Sequence, residues 1–140
     1  MAVGLQKAGM YLAQVHTIDK VHDLAILRTE VTSDDVDLLP RTEGAPGLQV
    51  YTIGYDDEHY TQEEPLISIG RIDDAGPFNA EENRIISEPR PYKGRTALAY
   101  VISGAPCSGG SSGGAVLDGS GRILGYIKGR LDDNRCIASL

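Results

Sequence analysis

A segment rich in glycine and serine, CSGGSSGGAV at residues 107–116, has the residue types best suited to chemistry. A serine hydroxyl acts as a nucleophile when a base lies within hydrogen-bond reach, and nearby backbone N–H groups can stabilise the oxyanion that forms. The glycines before Ser112 allow such N–H groups to point into a common pocket. The residue types therefore leave two alternatives open, an ordinary tight turn and a turn that exposes Ser112 as a nucleophile.

Two other interpretations of this segment do not fit its surroundings. A phosphate-binding loop ends in Lys-Ser/Thr and leads into a helix. This segment contains no Lys, and the residues after it, AVLDGSGRILGY, have the pattern of a β-hairpin. A linker should separate two domains, but only 28 of the 140 residues follow Ser112.

Short apolar stretches at a spacing of about ten residues predict the strands that must position this segment. YLAQVHTI and LQVYTIGY read as strands, and DLAILRTEV reads as a strand that starts inside the core. The 17 Gly and 7 Pro suit many strands joined by turns. Residues 31–47 are rich in turn residues and are expected to connect two parts of an all-β barrel or sandwich.

Composition argues against several classes of function. The net charge is -7 and no basic stripe is present, so we expect no nucleic-acid partner. No apolar run approaches the roughly 18 residues of a membrane span. We predict no metal and no cofactor. The two cysteines permit one disulfide at most and leave the cellular compartment open.

Two motifs in a fixed order resemble those of a known family. GSSGGAVLDGSGRILGY resembles the nucleophile loop and following hairpin of trypsin-like serine peptidases, and VHDLAILR resembles the segment that holds their triad aspartate. LQVYTIGY and PLISIGRI are similar to the first two strands of the family's second barrel. The similarity is closest to the bacterial, largely disulfide-free branch that includes the high-temperature-requirement peptidases. It implies a chymotrypsin-like double β-barrel and covers nearly the whole chain.

The resemblance implies catalytic roles for three residues. Ser112 would be the nucleophile, and the N–H groups of Gly110 and Ser112 would form the oxyanion hole. Asp23 would orient the catalytic imidazole. Without the motif around Ser112, a turn residue that starts a strand would be the preferred interpretation of Asp23.

The resemblance also implies a substrate pocket and a possible cysteine pair. Ala105, Pro106 and Cys107 would line the pocket for the side chain that precedes the cleaved bond. No carboxylate stands there, so a small or apolar substrate side chain is expected rather than Lys or Arg. The family brings the segments of Cys107 and Cys136 together, which leaves a disulfide and two buried free thiols as equal alternatives.

The base that Ser112 requires has no matching candidate. The family's histidine lies in a Thr/Asn-Ala-His segment some tens of residues before the aspartate, but only 22 residues precede Asp23. His22 should point away from Asp23 in an extended chain. His16 is expected on a hairpin face and His59 in a solvated acidic loop. The resemblance implies that the first element of this sequence is the hairpin that normally follows the catalytic histidine.

These observations lead to one expected function and two alternatives. Residues 1–39 would be the remainder of the first barrel and residues 40–140 the second barrel. The parent activity would be endopeptidase cleavage of a peptide or protein substrate through an acyl-serine, with this chain inactive by itself. An incomplete first barrel would expose strand edges and an apolar face, so self-association or a completing partner chain is expected. The alternatives are a non-catalytic homologue that binds extended peptides and a small structural barrel with a fortuitous Gly-Ser turn.

Overall fold

The computed structural model consists of two compact units, Met1–Leu39 and Pro40–Leu140, here called the amino-terminal and carboxy-terminal units. Every regular element among the described residues is a β-strand, as the sequence predicted. None of these residues forms a helix long and apolar enough to cross a membrane. The structure describes residues 2–5, 9–20, 22–30, 38–55, 57, 64–79, 81–86 and 97–140.

The amino-terminal unit is an antiparallel sheet of three strands, in the order β1 (Ala2–Leu5), β2 (Gly9–Asp19) and β3 (Leu24–Thr29). β2 and β3 form a hairpin whose turn ends at Asp23 with a backbone φ of +54°. This is the left-handed region, which aspartate tolerates better than most residues because its short polar side chain can hydrogen-bond locally.

The sheet of the amino-terminal unit exposes much of its apolar surface. Leu12 is 84% exposed, Ile18 61% and Ile26 53%. The expectation that the segment DLAILRTEV starts inside the core was therefore wrong, since the first three residues of β3 are exposed. Three strands with one layer cannot bury the side chains of both faces.

The carboxy-terminal unit is a closed barrel. Strand β4 pairs with both β5 and β8, so six strands form a ring in the order β4-β8-β9-β10-β7-β5. The short strand β6 pairs with the end of β5. Every pairing between these strands is antiparallel, and closure removes the open edges of the sheet. The strands are β4 (Gln49–Gly54), β5 (Leu66–Asn79), β6 (Arg84–Ile85), β7 (Ala97–Ser103), β8 (Ala115–Leu117), β9 (Ile123–Arg130) and β10 (Cys136–Ser139).

The core of the barrel comes from the alternation of side chains along its strands. On β4, Val50 and Thr52 are buried while Tyr51 and Ile53 are partly exposed. Gly125 is required because a Cβ atom there would lie 2.0 Å from the carbonyl oxygen of Ser139. The largest fully buried side chains are Tyr100, Ile72, Ile102, Leu124, Val50, Val116, Cys136 and Ser139.

The connection that begins at Pro40 is bonded to the barrel. Ile123 donates its N–H to the carbonyl of Pro40 at 2.8 Å, and Thr42 donates its N–H to the carbonyl of Ile123 at 2.9 Å. The N–H of Gly44 donates to the hydroxyl of the buried Tyr100 at 2.9 Å. This part of the turn-rich segment therefore belongs to the carboxy-terminal unit.

Asp118 fixes the hairpin between β8 and β9. Its carboxylate is buried and accepts the N–H groups of Ser120 and Arg122, each at 2.9 Å, and the Nε–H of Arg122 at 2.8 Å. The backbone hydrogen bond from Arg122 is the main reason that the pKa of Asp118 lies below its ordinary value. The hairpin is thereby held in a fixed position directly after the Ser112 segment.

Replacing Ser139 with Ala should raise the free energy of unfolding by about 1 kcal/mol. The Ser139 side chain is 0% exposed, and its hydroxyl has no hydrogen-bond partner in the described part of the chain. Alanine removes this unsatisfied group. Urea unfolding of the whole chain measures the change.

The matched control is Ala138→Ser on the same strand. Ala138 is also 0% exposed, so a hydroxyl introduced there should lower the free energy of unfolding by roughly 1–3 kcal/mol. A loss of stability in Ser139→Ala would show that the native hydroxyl is bonded and would contradict the prediction.

Candidate active site

Residues 108–114 form two consecutive turns, here called the serine loop. In the first turn, the N–H of Ser111 donates to the carbonyl of Ser108 at 3.2 Å. Gly110 is the third residue of this turn and has a φ of +86°. A type II turn requires a positive φ at its third position, which explains why glycine stands there.

The second turn places Ser112 at its outer corner. The N–H of Gly114 donates to the carbonyl of Ser111 at 3.1 Å, and Gly113 has a φ of +87° at the third position. Ser112 is the second residue of this type II turn and its side chain is exposed. The sequence predicted a turn that exposes this serine, and the backbone geometry agrees with that interpretation.

Two short hydrogen bonds attach the serine loop to β9. The N–H of Gly113 donates to the carbonyl of Ile127, and the N–H of Ile127 donates to the carbonyl of Gly114, both at 2.7 Å. A Cβ atom on Gly114 would lie 2.8 Å from the carbonyl oxygen of Ile53. The second glycine after Ser112 is therefore needed for the close approach of two backbones, and the first for its φ.

Three N–H groups of the serine loop, those of Gly109, Gly110 and Ser112, have no acceptor among the described residues. Within the part of the chain that the structure describes, neither Gly110 nor Ser112 donates its backbone N–H, and the hydroxyl of Ser112 has no hydrogen-bond partner. The neighbouring N–H groups of Ser111, Gly113 and Gly114 are all bonded within the unit. The loop thus leaves unbonded the two N–H groups that the sequence analysis assigned to an oxyanion hole.

A cleft lies beside the serine loop on the carboxy-terminal unit. Pro106, one of the predicted pocket residues, lines it, whereas Ala105 and Cys107 are buried in the barrel core. The described residues that line the cleft carry no charge. They are Thr52, Ile53, Gly54, Tyr55, Leu66, Ser68, Pro106, Ser111, Gly114 and Ile127.

Cys107 and Cys136 are both buried and free in the structure. The thiol of Cys107 donates to the carbonyl of Gly129 at 3.2 Å, and that of Cys136 to the carbonyl of Ala105 at 3.7 Å. The interaction between the two cysteine side chains lowers the pKa of Cys107 and raises that of Cys136, and burial also raises the pKa of Cys136. Of the two alternatives that the sequence left open, the structure holds the pair of buried thiols.

The histidine nearest to Asp23 has its own carboxylate partner. His22 Nδ1 lies 2.7 Å from Asp19 Oδ2, and the N–H of His22 donates to Asp19 Oδ1 at 3.2 Å. Asp23 follows in the amino-terminal unit and is exposed. His16 is exposed on β2, and His59 lies outside the described residues. The sequence analysis missed the Asp19–His22 pair, although a spacing of three residues across a hairpin turn is a signal for it.

Comparison with known families and structures identifies similar proteins. The trypsin-like peptidase domain family matches residues 2–125 of the chain. No curated protein sequence matches it. The active form of the Rv3671c protease from M. tuberculosis has a TM-score of 0.69 at 23% sequence identity, with 93% of this chain and 54% of that chain covered.

Two further solved structures are similar. The HtrA-type protease AlgW with a decapeptide has a TM-score of 0.73 at 20% identity, covering 99% of this chain and 39% of that chain. The MamO protease domain from Magnetospirillum magneticum has a TM-score of 0.65 at 19% identity, covering 99% and 68%. At these identities the similarity shows a shared fold and confirms the predicted chymotrypsin-like barrel. The chain spans 54% to 62% of the three Rv3671c structures.

Replacing Gly114 with Ala should lower the free energy of unfolding by roughly 1–3 kcal/mol. The new methyl group would meet two backbone oxygens, that of Ile53 at 2.8 Å and that of Ser111 at 3.1 Å. Neither oxygen can move without disturbing a strand or the serine loop. Thermal and urea unfolding of the whole chain measure the loss.

Gly119→Ala is the matched control, because a Cβ atom on Gly119 would meet no atom within 4 Å. The free energy of unfolding of this variant should stay within about 0.5 kcal/mol of the native value. Equal stability of the two variants would show that the serine loop can shift away from β4, contrary to the prediction.

Proposed function

Because the chain belongs to the trypsin-like peptidase family, we propose that its carboxy-terminal unit presents the nucleophile of a serine endopeptidase. The observation that carries this proposal is the serine loop, where Ser112 is exposed and the N–H groups of Gly110 and Ser112 have no acceptor among the described residues. When a serine oxygen attacks a peptide carbonyl, negative charge develops on the carbonyl oxygen. Two unbonded N–H groups beside the nucleophile can stabilise that charge.

The uncharged cleft supports the expected preference for a small or apolar substrate side chain. Pro106 and Ser111 line it from the side of the serine loop, and Leu66 contributes apolar surface from β5. Burying a charged substrate side chain without a partner would cost free energy. Cys107 is buried behind this wall, and in the proposed pocket it supports the segment that carries Pro106.

The far end of β9 can bind an extended peptide by strand addition. The pairing between β8 and β9 ends at Tyr126, and residues 128–130 have a strand partner on one side, β10. Backbone groups on the other side of this segment can pair with a substrate strand, as in other peptide-recognition sites that extend a sheet. The segment begins directly after Ile127, which holds the serine loop, so a peptide bound there would lie beside Ser112.

The base is the part of the machinery that these residues do not supply. The 140 residues contain three histidines, and none stands in a Thr/Asn-Ala-His segment. We assign Asp23 the role of orienting an imidazole that another segment or chain provides, and Ser112 lacks its base in this chain alone. Loss of the base removes proton transfer from both acylation and deacylation and lowers the rate by several orders of magnitude.

The exposed sheet of the amino-terminal unit suggests a surface on which another chain could bind and complete the first barrel. We assign residues 1–39 to the remainder of a first barrel and residues 40–140 to the second barrel. Leu12 and Ile26 present apolar surface on one face of this sheet and Ile18 on the other, and a second copy or a partner chain would cover such surface. The same chain without catalysis would be a peptide-binding homologue, an alternative favoured by the one-sided pairing of residues 128–130.

Two serine-directed probes test the proposed function. A peptide boronic acid with an apolar side chain beside boron binds the serine oxygen as a fourth ligand, and the hydroxyl proton passes to solvent. The resulting boronate anion can accept hydrogen bonds from the two N–H groups. We expect a one-to-one adduct with the native chain and none with Ser112→Ala. A fluorophosphonate needs an activated serine, so it should label the native chain no faster than Ser112→Ala.

Ser111→Ala is the control for the boronic acid, because it removes the adjacent hydroxyl and should still form the adduct. Equal binding to the native chain and Ser112→Ala would contradict the assignment of the nucleophile. Fluorophosphonate labelling of Ser112 in the native chain would contradict the assignment of the base to another segment or chain.

Light scattering tests the association that the exposed sheet implies. The native chain should associate as its concentration rises, because burial of the apolar surface is favourable. Leu12→Lys should weaken this association. Gln49→Lys adds the same charge at an exposed polar position of β4 in the carboxy-terminal unit and should leave the association unchanged. A monodisperse native monomer at high concentration would overturn the proposal that this surface is covered.

A further inference from the structure

Two positively charged side chains lie on the part of β9 that has a strand on one side only. Lys128 and Arg130 flank Gly129, and among the described residues this segment pairs with β10 alone. Lys128 is partly buried and Arg130 is exposed. Neither forms an ion pair with a described residue. The segment therefore offers backbone groups and positive charge at the same place.

The absence of a partner sets these two cations apart from most arginines of the carboxy-terminal unit. Four other arginines of the unit lie within 3.8 Å of a carboxylate oxygen, namely Arg71, Arg84, Arg122 and Arg135. Asp132 and Asp133 follow Arg130 closely in the sequence, but Asp133 pairs with Arg135 and neither pairs with Arg130 in the part of the chain that is described. The charges of Lys128 and Arg130 are thus available to a group outside the unit.

Gly129 leaves open space between the two cations. A Cβ atom on Gly129 would meet no atom within 4 Å, and its φ lies outside the left-handed region. Neither packing nor backbone conformation therefore requires a glycine at this position. A glycine within a strand often marks a place where another backbone approaches closely. This observation is independent of charge and also points to a peptide at this edge.

We propose that residues 128–130 select extended peptides that carry acidic side chains. This preference rests on the proposed strand addition beside Ser112 and defines the chemistry of the peptide that binds there. Opposite charges on adjacent strands stabilise their pairing, and long side chains reach both opposite and diagonal positions. Lys128 and Arg130 lie two residues apart and would pair with Asp or Glu side chains of the bound strand.

Strand direction determines where the acidic residues lie in the peptide. Every pairing between strands of the barrel is antiparallel, and a peptide that pairs in the same way runs opposite to β9. From Ile127 to Arg130, β9 leads away from the serine loop, so the peptide runs toward Ser112. Its acidic residues would therefore precede the residue whose carbonyl Ser112 attacks. The uncharged cleft takes the apolar side chain at the cleaved bond.

The preference for acidic peptides is a local effect that the overall charge opposes. The chain has a net charge of -7, which by itself attracts basic peptides and repels acidic ones. A measured preference for acidic peptides would therefore report the two cations on β9 and not the field of the whole molecule.

Three peptide boronic acids test the proposal on the whole chain. They are acetyl-Glu-Glu-boroalanine, acetyl-Gln-Gln-boroalanine and acetyl-Lys-Lys-boroalanine, which share the apolar residue beside boron and differ in charge. The Glu probe should bind about threefold or more tightly than the Gln probe, and the Lys probe should bind more weakly than either. This ratio should fall in about 0.5 M NaCl, because salt screens charges near the surface.

Variants of the two cations identify the source of the preference. Lys128→Gln and Arg130→Gln should each lower the ratio of the Glu and Gln affinities, and the double variant should bring it to about one. Arg130→Lys keeps the charge and should keep the ratio above one. Arg41→Gln is the matched control and should leave the ratio unchanged. Arg41 is exposed, has no ion pair with a described residue and lies beside Ile123 at the opposite end of β9.

A peptide without boron separates failure of this inference from failure of the proposed function. Fluorescein-labelled Glu-Glu-Ala amide should bind more tightly than its Gln-Gln-Ala counterpart in fluorescence anisotropy, and Ser112→Ala should keep this preference, because strand addition does not need the serine oxygen.

Three results would overturn the preference for acidic peptides. They are equal affinities of the Glu and Gln peptides, an unchanged ratio in the double variant, and no binding by any of the peptides. Equal binding of the boronic acids to the native chain and to Ser112→Ala would instead overturn the assignment of the nucleophile.

Discussion

Two reciprocal hydrogen bonds between Ile127 and the glycines after Ser112 hold the candidate site together. They join the serine loop to β9, which is itself fixed between β8 and β10 in a closed barrel. Closure matters because each strand of the ring has a neighbour on both sides. The loop is therefore attached to a closed ring in which only part of β9, residues 128–130, pairs on one side. Its turns need only two glycines in the left-handed region.

The same hydrogen bonds determine which N–H groups of the serine loop are available to a ligand. When Gly113 and Gly114 donate to Ile127 and Ser111, their N–H groups are no longer available to a ligand. The alternating use of N–H groups along the loop leaves those of Gly110 and Ser112 unbonded among the described residues. An anion that forms beside Ser112 would therefore meet donors whose directions are already fixed, which is the condition for electrostatic stabilisation without reorganisation.

The elements that local sequence patterns determine were predicted well. The strands of the barrel, the hairpin after Ser112 and the turn at CSGGSSGGAV depend on alternation and on glycine, both of which act within a few residues. The exposure of Ile26 on β3 was not predicted, because burial depends on which layers are present and not on the strand's own sequence. Cys107 and Cys136 belong to the same buried cluster although they are 29 residues apart, and only the family resemblance suggested that their segments meet.

Interactions that depend on the folded structure, and not on a local sequence pattern, also limit how well the site could be predicted. The hydrogen bonds between the serine loop and Ile127 depend on the register of β8 with β9. This register includes a bulge that the sequence does not predict. The Asp19–His22 pair forms because the turn before Asp23 brings the carboxylate of Asp19 close to the imidazole of His22. The unbonded N–H groups of Gly110 and Ser112 could be recognised only from the folded turns, in which the neighbouring N–H groups of Ser111, Gly113 and Gly114 are bonded.

The hydrogen bonds of Pro40 and Thr42 to Ile123 also constrain when the barrel can fold during synthesis. Pro40 and Thr42 bond to Ile123, a residue made 83 positions after Pro40. At a typical rate of roughly 5–20 residues per second, Ile123 would be made several seconds after Pro40. Strands β4 and β5 would meet early, but the ring cannot close until β8, β9 and β10 exist. The barrel that carries the serine loop would therefore form in one event, after β10 has been made.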